Sequence, residues 1–98
     1  MAEVRWTPQA ADDLEGITQF IAKHSPRYAS LFAINVITAV DRLADFPEPG
    51  RIVPERNNPQ IREIILGNYR IVYRLRYDAA ELLTVHHAAR PLDISNLP

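Results

Sequence analysis

At 98 residues, 47% apolar and 23% charged, the chain has the composition of one ordinary globular domain, residues 1–98, with a single core. It has no cysteine, which excludes disulfides and thiolate metal sites. No apolar run approaches the roughly 20 residues that span a bilayer. The N-terminus lacks the basic-then-apolar pattern of a secretory signal, so no membrane association and a cytoplasmic location are expected.

The formal net charge of −1 conceals a segregation along the chain. Residues 1–50 hold four Lys/Arg against seven Asp/Glu, residues 51–77 six Arg against two Glu, and residues 78–98 one Arg against three acids. Lys23 is the one lysine, and arginine suits planar, bidentate recognition of carboxylate or phosphate. A general nucleic-acid binder would be basic overall, which this chain is not.

Val4-Arg5-Trp6 reads as a short first strand with Val4 and Trp6 on one side. Thr7-Pro8 is a helix start, with threonine as N-cap and proline at the first helical position. Ala10, Leu14, Ile17 and Ile21 then recur at helical spacing through residues 8–23. Asp12, Asp13 and Glu15 fall in its first turns, where the helix dipole favours anions, and read as a solvated turn. Ser25-Pro26 repeats the start signal after a tight connection, where His24 reads as a cap on the last carbonyls. The second helix, about 26–46, buries Phe32, Val36, Ala39, Val40, Leu43 and Phe46. It also carries Leu31, Ile34 and Ile37 off that stripe, either as a wide core face or as an apolar side offered to a partner. Pro47-Glu48-Pro49-Gly50 ends it, and residues 54–59 read as loop.

Three strands follow, Ile61–Leu66, Tyr69–Arg76 and roughly Glu81–His87, the first two joined through the two-residue Gly67-Asn68 loop. In the middle strand Tyr69, Ile71, Tyr73 and Leu75 share one face, while Arg70, Val72, Arg74 and Arg76 share the other. The hairpin register pairs 66 with 69, 64 with 71 and 62 with 73, which sets Glu63 opposite Val72 on the arginine face. An even-length turn near Asp78-Ala79-Ala80 would add Leu83, Val85 and His87 to that face and turn His86 to the other. The architecture expected is α+β: an N-terminal strand, a helical hairpin and a three-stranded antiparallel meander, with the helices on one side of the sheet.

Two readings of the arginine face follow from these residues. Arg70, Arg74 and His87 beside Glu63 could hold a phosphodiester and move a proton. Alternatively, Glu63 pairs with Arg70 or Arg74, and Arg76 with Glu81, as ion pairs on a solvated face. His86-His87 is not a metal pair, since adjacent strand residues point to opposite faces and no acid cluster adjoins them. No cofactor is expected, and Tyr28 and Tyr77 carry no signal.

The chain resembles a family over nearly its whole length. Trp6-Thr7-Pro8-Gln9-Ala10-Ala11-Asp12-Asp13-Leu14, Phe46-Pro47-Glu48-Pro49-Gly50-Arg51, Ile61-Arg62-Glu63, Asn68-Tyr69-Arg70-Ile71-Val72-Tyr73-Arg74 and Val85-His86-His87-Ala88-Ala89-Arg90 look like the RelE/ParE toxins of type II toxin–antitoxin systems. The resemblance implies that family's fold and one of two activities. RelE-like members cut mRNA on the ribosome without metal; ParE-like members poison DNA gyrase. Arg70 matches a RelE-type catalytic arginine. The family's two lysine positions fall on Ile61 and Glu63, its next arginine on Ala88, and its C-terminal tyrosine near Ile94. The resemblance therefore points to a ParE-like gyrase inhibitor, with a nuclease built on Arg70, Arg74 and His87, or an inactive homologue that only binds antitoxin, as alternatives.

It also implies a cognate ParD-like antitoxin, of ribbon-helix-helix type, and a higher-order complex of the two. Leu31, Ile34, Ile37, Glu63, Arg70, Val72, Arg74 and Arg76 are the expected antitoxin contacts, in a coupled folding and binding event. His87, Arg90 and Leu92 are the expected target contacts.

Overall fold

The computed structural model describes residues 3–46, 49–93, 95 and 97. Pro47, Glu48 and Ile94, invoked above, lie outside the described residues. The elements run β1 (Glu3–Trp6), α1 (Pro8–Ala22), α2 (Pro26–Asp41), a 3₁₀ turn (Arg42–Ala44), β2 (Arg51–Ile52), β3 (Ile61–Leu66), β4 (Tyr69–Arg76) and β5 (Ala79–His87). The sheet order is β1-β5-β4-β3-β2, antiparallel except for the parallel pairing of β1 with β5 across the helical hairpin. The α+β layering is as expected. The two-residue strand β2 was not, because a pair of residues beside Gly50 is too short to show an alternating pattern.

Capping fixes both helix starts. The Thr7 hydroxyl accepts from the Ala10 amide at 3.2 Å and donates to the Leu82 carbonyl at 2.7 Å, so the N-cap also moors α1 to the neighbouring strand. Ser25 accepts from the Tyr28 amide at 3.1 Å. The His24 ring lies edge-on to Phe20, with centroids 6.1 Å apart. The second helix ends five residues sooner than its apolar pattern suggests, tightening into the 3₁₀ turn. Leu43 remains buried, whereas Phe46, expected in the core, is exposed.

The main core lies between the helices and the sheet: Ala10, Val36, Val40, Leu43, Ile71, Tyr73, Ala80 and Leu82, flanked by Val4, Trp6, Leu14 and Phe32. Burial of each large side chain here contributes about 1.5–3 kcal/mol. Tyr73 is fully buried and its hydroxyl accepts from the Gly50 amide at 3.0 Å. A Cβ at Gly50 would lie 2.6 Å from both the Tyr73 hydroxyl and the Glu63 carbonyl, so that position takes only glycine.

The β3–β4 register is the one the Gly67-Asn68 loop dictates: Leu66 opposite Tyr69, Ile64 opposite Ile71, Arg62 opposite Tyr73. The β4–β5 turn is also two residues long, pairing Arg76 with Ala79, but the ladder slips between Val72 and Tyr73. Tyr73 faces Leu82 and Val72 faces Thr84, which leaves Leu83 as an extra residue. That bulge reverses the faces beyond it. Val85 lies opposite Ile71 and His87 opposite Tyr69, on the helix side, while His86 lies opposite Arg70.

The sheet's other side is not open. Val53, Ile61, Val72, Leu83 and Leu92 form a second small core, closed by the segment after β2 and by the chain beyond β5.

Candidate functional site

The arginine face is built around one charge cluster beside that second core. Arg70, on the central strand, is 7% exposed and directs its guanidinium at two carboxylates. Its Nη1 and Nη2 donate to the two oxygens of Glu55, each at 2.7 Å, and its Nε donates to Glu63 Oε1. The second Glu63 oxygen accepts from Arg51 Nε at 2.6 Å. Glu63 is 1% exposed, so both of its oxygens are matched where water is scarce, as a buried charge requires. The bidentate contact from Arg70 holds the Glu55 carboxyl at about 2, well below its usual range, and pairing with the two acids raises the Arg70 guanidinium further. The two acids of residues 51–77 are thus both spent on Arg70. The scarcity of acids in that segment was the available sequence signal; Glu55 was missed because a loop gives no register, and Arg51 because the two-residue strand that sets it opposite Glu63 is too short to show an alternating pattern.

Arg74 pairs with Glu81, directly opposite on β5, through a 3.2 Å contact. Glu81 was expected to pair with Arg76, which instead lies opposite Ala79 and is exposed. Of the expected partner contacts on this face, Glu63, Arg70 and Val72 are buried and Arg74 is half-buried, so the face does not present an open row of arginines. Leu92, expected to meet a target, is packed into the second core, whereas Arg90 is exposed.

The catalytic alternative is divided by the bulge. His87, expected beside Arg70 and Arg74, sits on the helix side with its ring 5.1 Å from that of Tyr69, which in turn packs on Phe32 at 4.8 Å. Its Nδ1 accepts from the Ala89 amide at 3.1 Å. The histidine that does share the arginine face is His86, whose Nε2 lies 3.1 Å from the carbonyls of both Arg90 and Pro91. Carbonyls only accept, so Nε2 carries the proton and the ring anchors the chain leaving β5. Asp13, read as a solvated helix residue, instead accepts from the Thr84 hydroxyl and lies 3.4 Å from the Val85 amide. It thereby supplies an acceptor to β5 beyond the end of β1, a contact for which the sequence holds no signal. Among the described residues no group of His, Asp and Glu is arranged to hold a metal ion.

The helical hairpin presents the second feature. Leu31, Ile34 and Ile37 are 45%, 60% and 41% exposed, with Tyr28 and Phe20 exposed on the same hairpin. Tyr28 and Leu31 border an apolar cleft closed by Phe32, Leu66 and Tyr69 at the Gly67-Asn68 turn. Isolated exposed apolar residues are normal, but several large ones on one short hairpin are the mark of an interaction surface. Among the described residues no helix is long and apolar enough to cross a membrane.

The fold and the sequence agree with known toxins. The chain shares the fold of a solved chromosomal ParDE toxin–antitoxin system from P. aeruginosa, at a TM-score of 0.72 and 21% identity, covering 89% of this chain and 96% of that one. It is 35% identical over 91 residues to Toxin RelE2 of Caulobacter vibrioides, covering 92% of this chain and 99% of the relative. It is 40% identical over 87 residues to putative toxin Y4kP of Sinorhizobium fredii, covering 87% and 86%. The model of the ParE toxin of type II toxin–antitoxin systems matches residues 4–92. The chain therefore belongs to the ParE family of toxins of type II toxin–antitoxin systems.

Proposed function

We propose that this toxin acts by binding, as an inhibitor of DNA gyrase in the cytoplasm, and that a ParD-like ribbon-helix-helix antitoxin neutralises it. The observation that carries the reading is the fate of the one arginine that matches a catalytic position. Arg70 is buried with its fork closed by Glu55 and Glu63, and His87 is on the opposite face of the sheet. A metal-free nuclease needs a cation for the phosphodiester and a proton carrier within hydrogen-bond reach of the same atoms; Arg70 and His87 lie on opposite faces, and His86, which does share the arginine face, spends its Nε2 on the Arg90 and Pro91 carbonyls.

The antitoxin would lay an apolar segment along Leu31, Ile34 and Ile37, ordering as it binds, and its dimerisation would gather toxins into a higher-order complex. Purified toxin titrated into gyrase should block supercoiling and accumulate cleaved DNA, and should leave mRNA on translating ribosomes intact. Site-specific mRNA cuts with normal supercoiling would establish the nuclease alternative. No effect in either assay or on growth would establish an inactive homologue.

A further inference from the structure

The chain makes the same turn twice with different residues. The β3–β4 hairpin turns through Gly67-Asn68, with Gly67 at φ +59°; the β4–β5 hairpin turns through Tyr77-Asp78, with Tyr77 at φ +55°. The first position of such a loop favours Gly or Asn, because a Cβ is crowded at positive φ. Gly67 is the residue the geometry asks for. A tyrosine at the equivalent place is strained, and it contributes nothing to packing, since Tyr77 is 95% exposed. An exposed aromatic held in a disfavoured conformation, where the chain elsewhere uses glycine, indicates a role outside the fold.

Its surroundings indicate the kind of partner. The Arg76 guanidinium lies 5.8 Å from the Tyr77 ring centroid, so the two side chains present a joined aromatic and cationic surface. Glu81 pairs with Arg74, Glu3 with Arg5 at 2.9 Å, and Asp78 stands in the turn itself beside Arg76. Acids and arginines are thus balanced at the tip, which lacks the surplus positive charge that a nucleic-acid contact draws on. Tyr and Arg together are the residues that dominate protein–protein hot spots. The tip is also held in place, because the Asp78 carbonyl accepts from the Glu3 amide at 2.7 Å, and a pre-organised contact loses little freedom on binding. It stands at the far end of β4 from the apolar cleft beside Gly67-Asn68, roughly 25 Å away for eight strand residues. A partner seated on Tyr28 and Leu31 leaves it accessible.

We infer that the β4–β5 turn is a protein-recognition tip, in which Tyr77 enters an apolar pocket of the toxin's target and Arg76 meets an acid at that pocket's rim. The inference rests on the target-binding reading above and names the toxin's side of the contact. The test is Tyr77→Gly, which copies the chain's own other hairpin, together with Tyr77→Phe and Arg76→Ala. Melting temperature, antitoxin affinity, growth arrest on expression and supercoiling inhibition are measured for each.

Tyr77→Gly should melt at or above the wild-type temperature, bind antitoxin within twofold of wild type, and lose at least tenfold in growth arrest and gyrase inhibition. Tyr77→Phe should retain most of both, and Arg76→Ala should fall between. Undiminished arrest by a folded Tyr77→Gly chain would overturn the inference, as would antitoxin affinity falling in step with arrest, or a wild-type chain that arrests nothing. If wild type arrests growth without touching gyrase, the gyrase reading fails while the variants' arrest still decides the role of Tyr77.

Discussion

Replacing Arg70 by alanine tests whether that arginine is a structural element. The substitution removes three charge-assisted hydrogen bonds and leaves Glu63, 1% exposed, with Arg51 as the remaining cation that contacts its carboxylate. Breaking a buried ion pair from one side costs about 3–5 kcal/mol, because the surviving charge stays desolvated. Here Arg51 remains, and Glu55, whose side chain is 33% exposed, can turn to water, so the loss belongs at the lower end, about 3 kcal/mol. For a domain of this size that lowers the melting temperature by roughly 12–24 °C. Arg74→Ala is the internal control. Its 3.2 Å pair with Glu81 is part-exposed on both sides, and loss should be about 0.5–1 kcal/mol, a few degrees. Urea unfolding at constant m-value gives both numbers. An Arg70→Met, Glu63→Leu double variant should recover much of the Arg70→Ala loss, since it removes both desolvated charges. If Arg70→Ala and Arg74→Ala destabilise equally, the buried-cluster account of Arg70 is wrong.

The same cluster has an acid dependence. Glu55 titrates at about 2 in the folded chain against 4.5 ordinarily, so its contribution is complete above about pH 4.5 and is lost as the pH falls toward 2. Its partial exposure limits that contribution to about 1 kcal/mol, and Glu55→Gln should flatten this part of the stability curve while wild type keeps it. Val72→Asp should unfold the domain as readily as Ile71→Asp, because both positions are fully buried, each in its own core; a folded Val72→Asp chain by circular dichroism would contradict the closed second face. Leu31→Glu with Ile34→Glu should change stability by no more than about 0.5 kcal/mol per site yet weaken antitoxin binding by about 3 kcal/mol, read by calorimetry with the purified antitoxin. Unchanged affinity would move the antitoxin off this side of the hairpin.

Local chemistry made most of the fold legible. Thr7-Pro8 and Ser25-Pro26 announce both helices, and the Gly67-Asn68 loop fixes the β3–β4 register residue by residue. The site was less legible, for one physical reason above others. A single extra residue at Leu83 exchanges the faces of everything after it, and nothing in Leu82-Leu83-Thr84 marks a bulge. His86 and His87 exchanged roles on that account, and with them the nuclease trio came apart. Val72, on the face expected, and Leu92 were taken as open contacts and are buried, for a related reason: alternation in a strand separates two faces but does not reveal that a loop and the chain after β5 will cover the second one. Arg70 and Glu63 were correctly brought together, since they follow from the hairpin register alone, whereas Glu55 reaches them from a loop and Arg51 from the two-residue strand β2, which is too short for its pattern to be read.

The central claim is that this toxin works by holding a protein target, with no bond broken by its own side chains. The most direct test is made in cells at the onset of growth arrest, by recovering gyrase–DNA covalent complexes and mapping mRNA ends in the same culture. The account predicts that gyrase-linked DNA breaks rise with toxin level, vanish on antitoxin expression, and occur without new mRNA ends at ribosomal positions. Codon-positioned mRNA cuts with no rise in gyrase-linked breaks would contradict it.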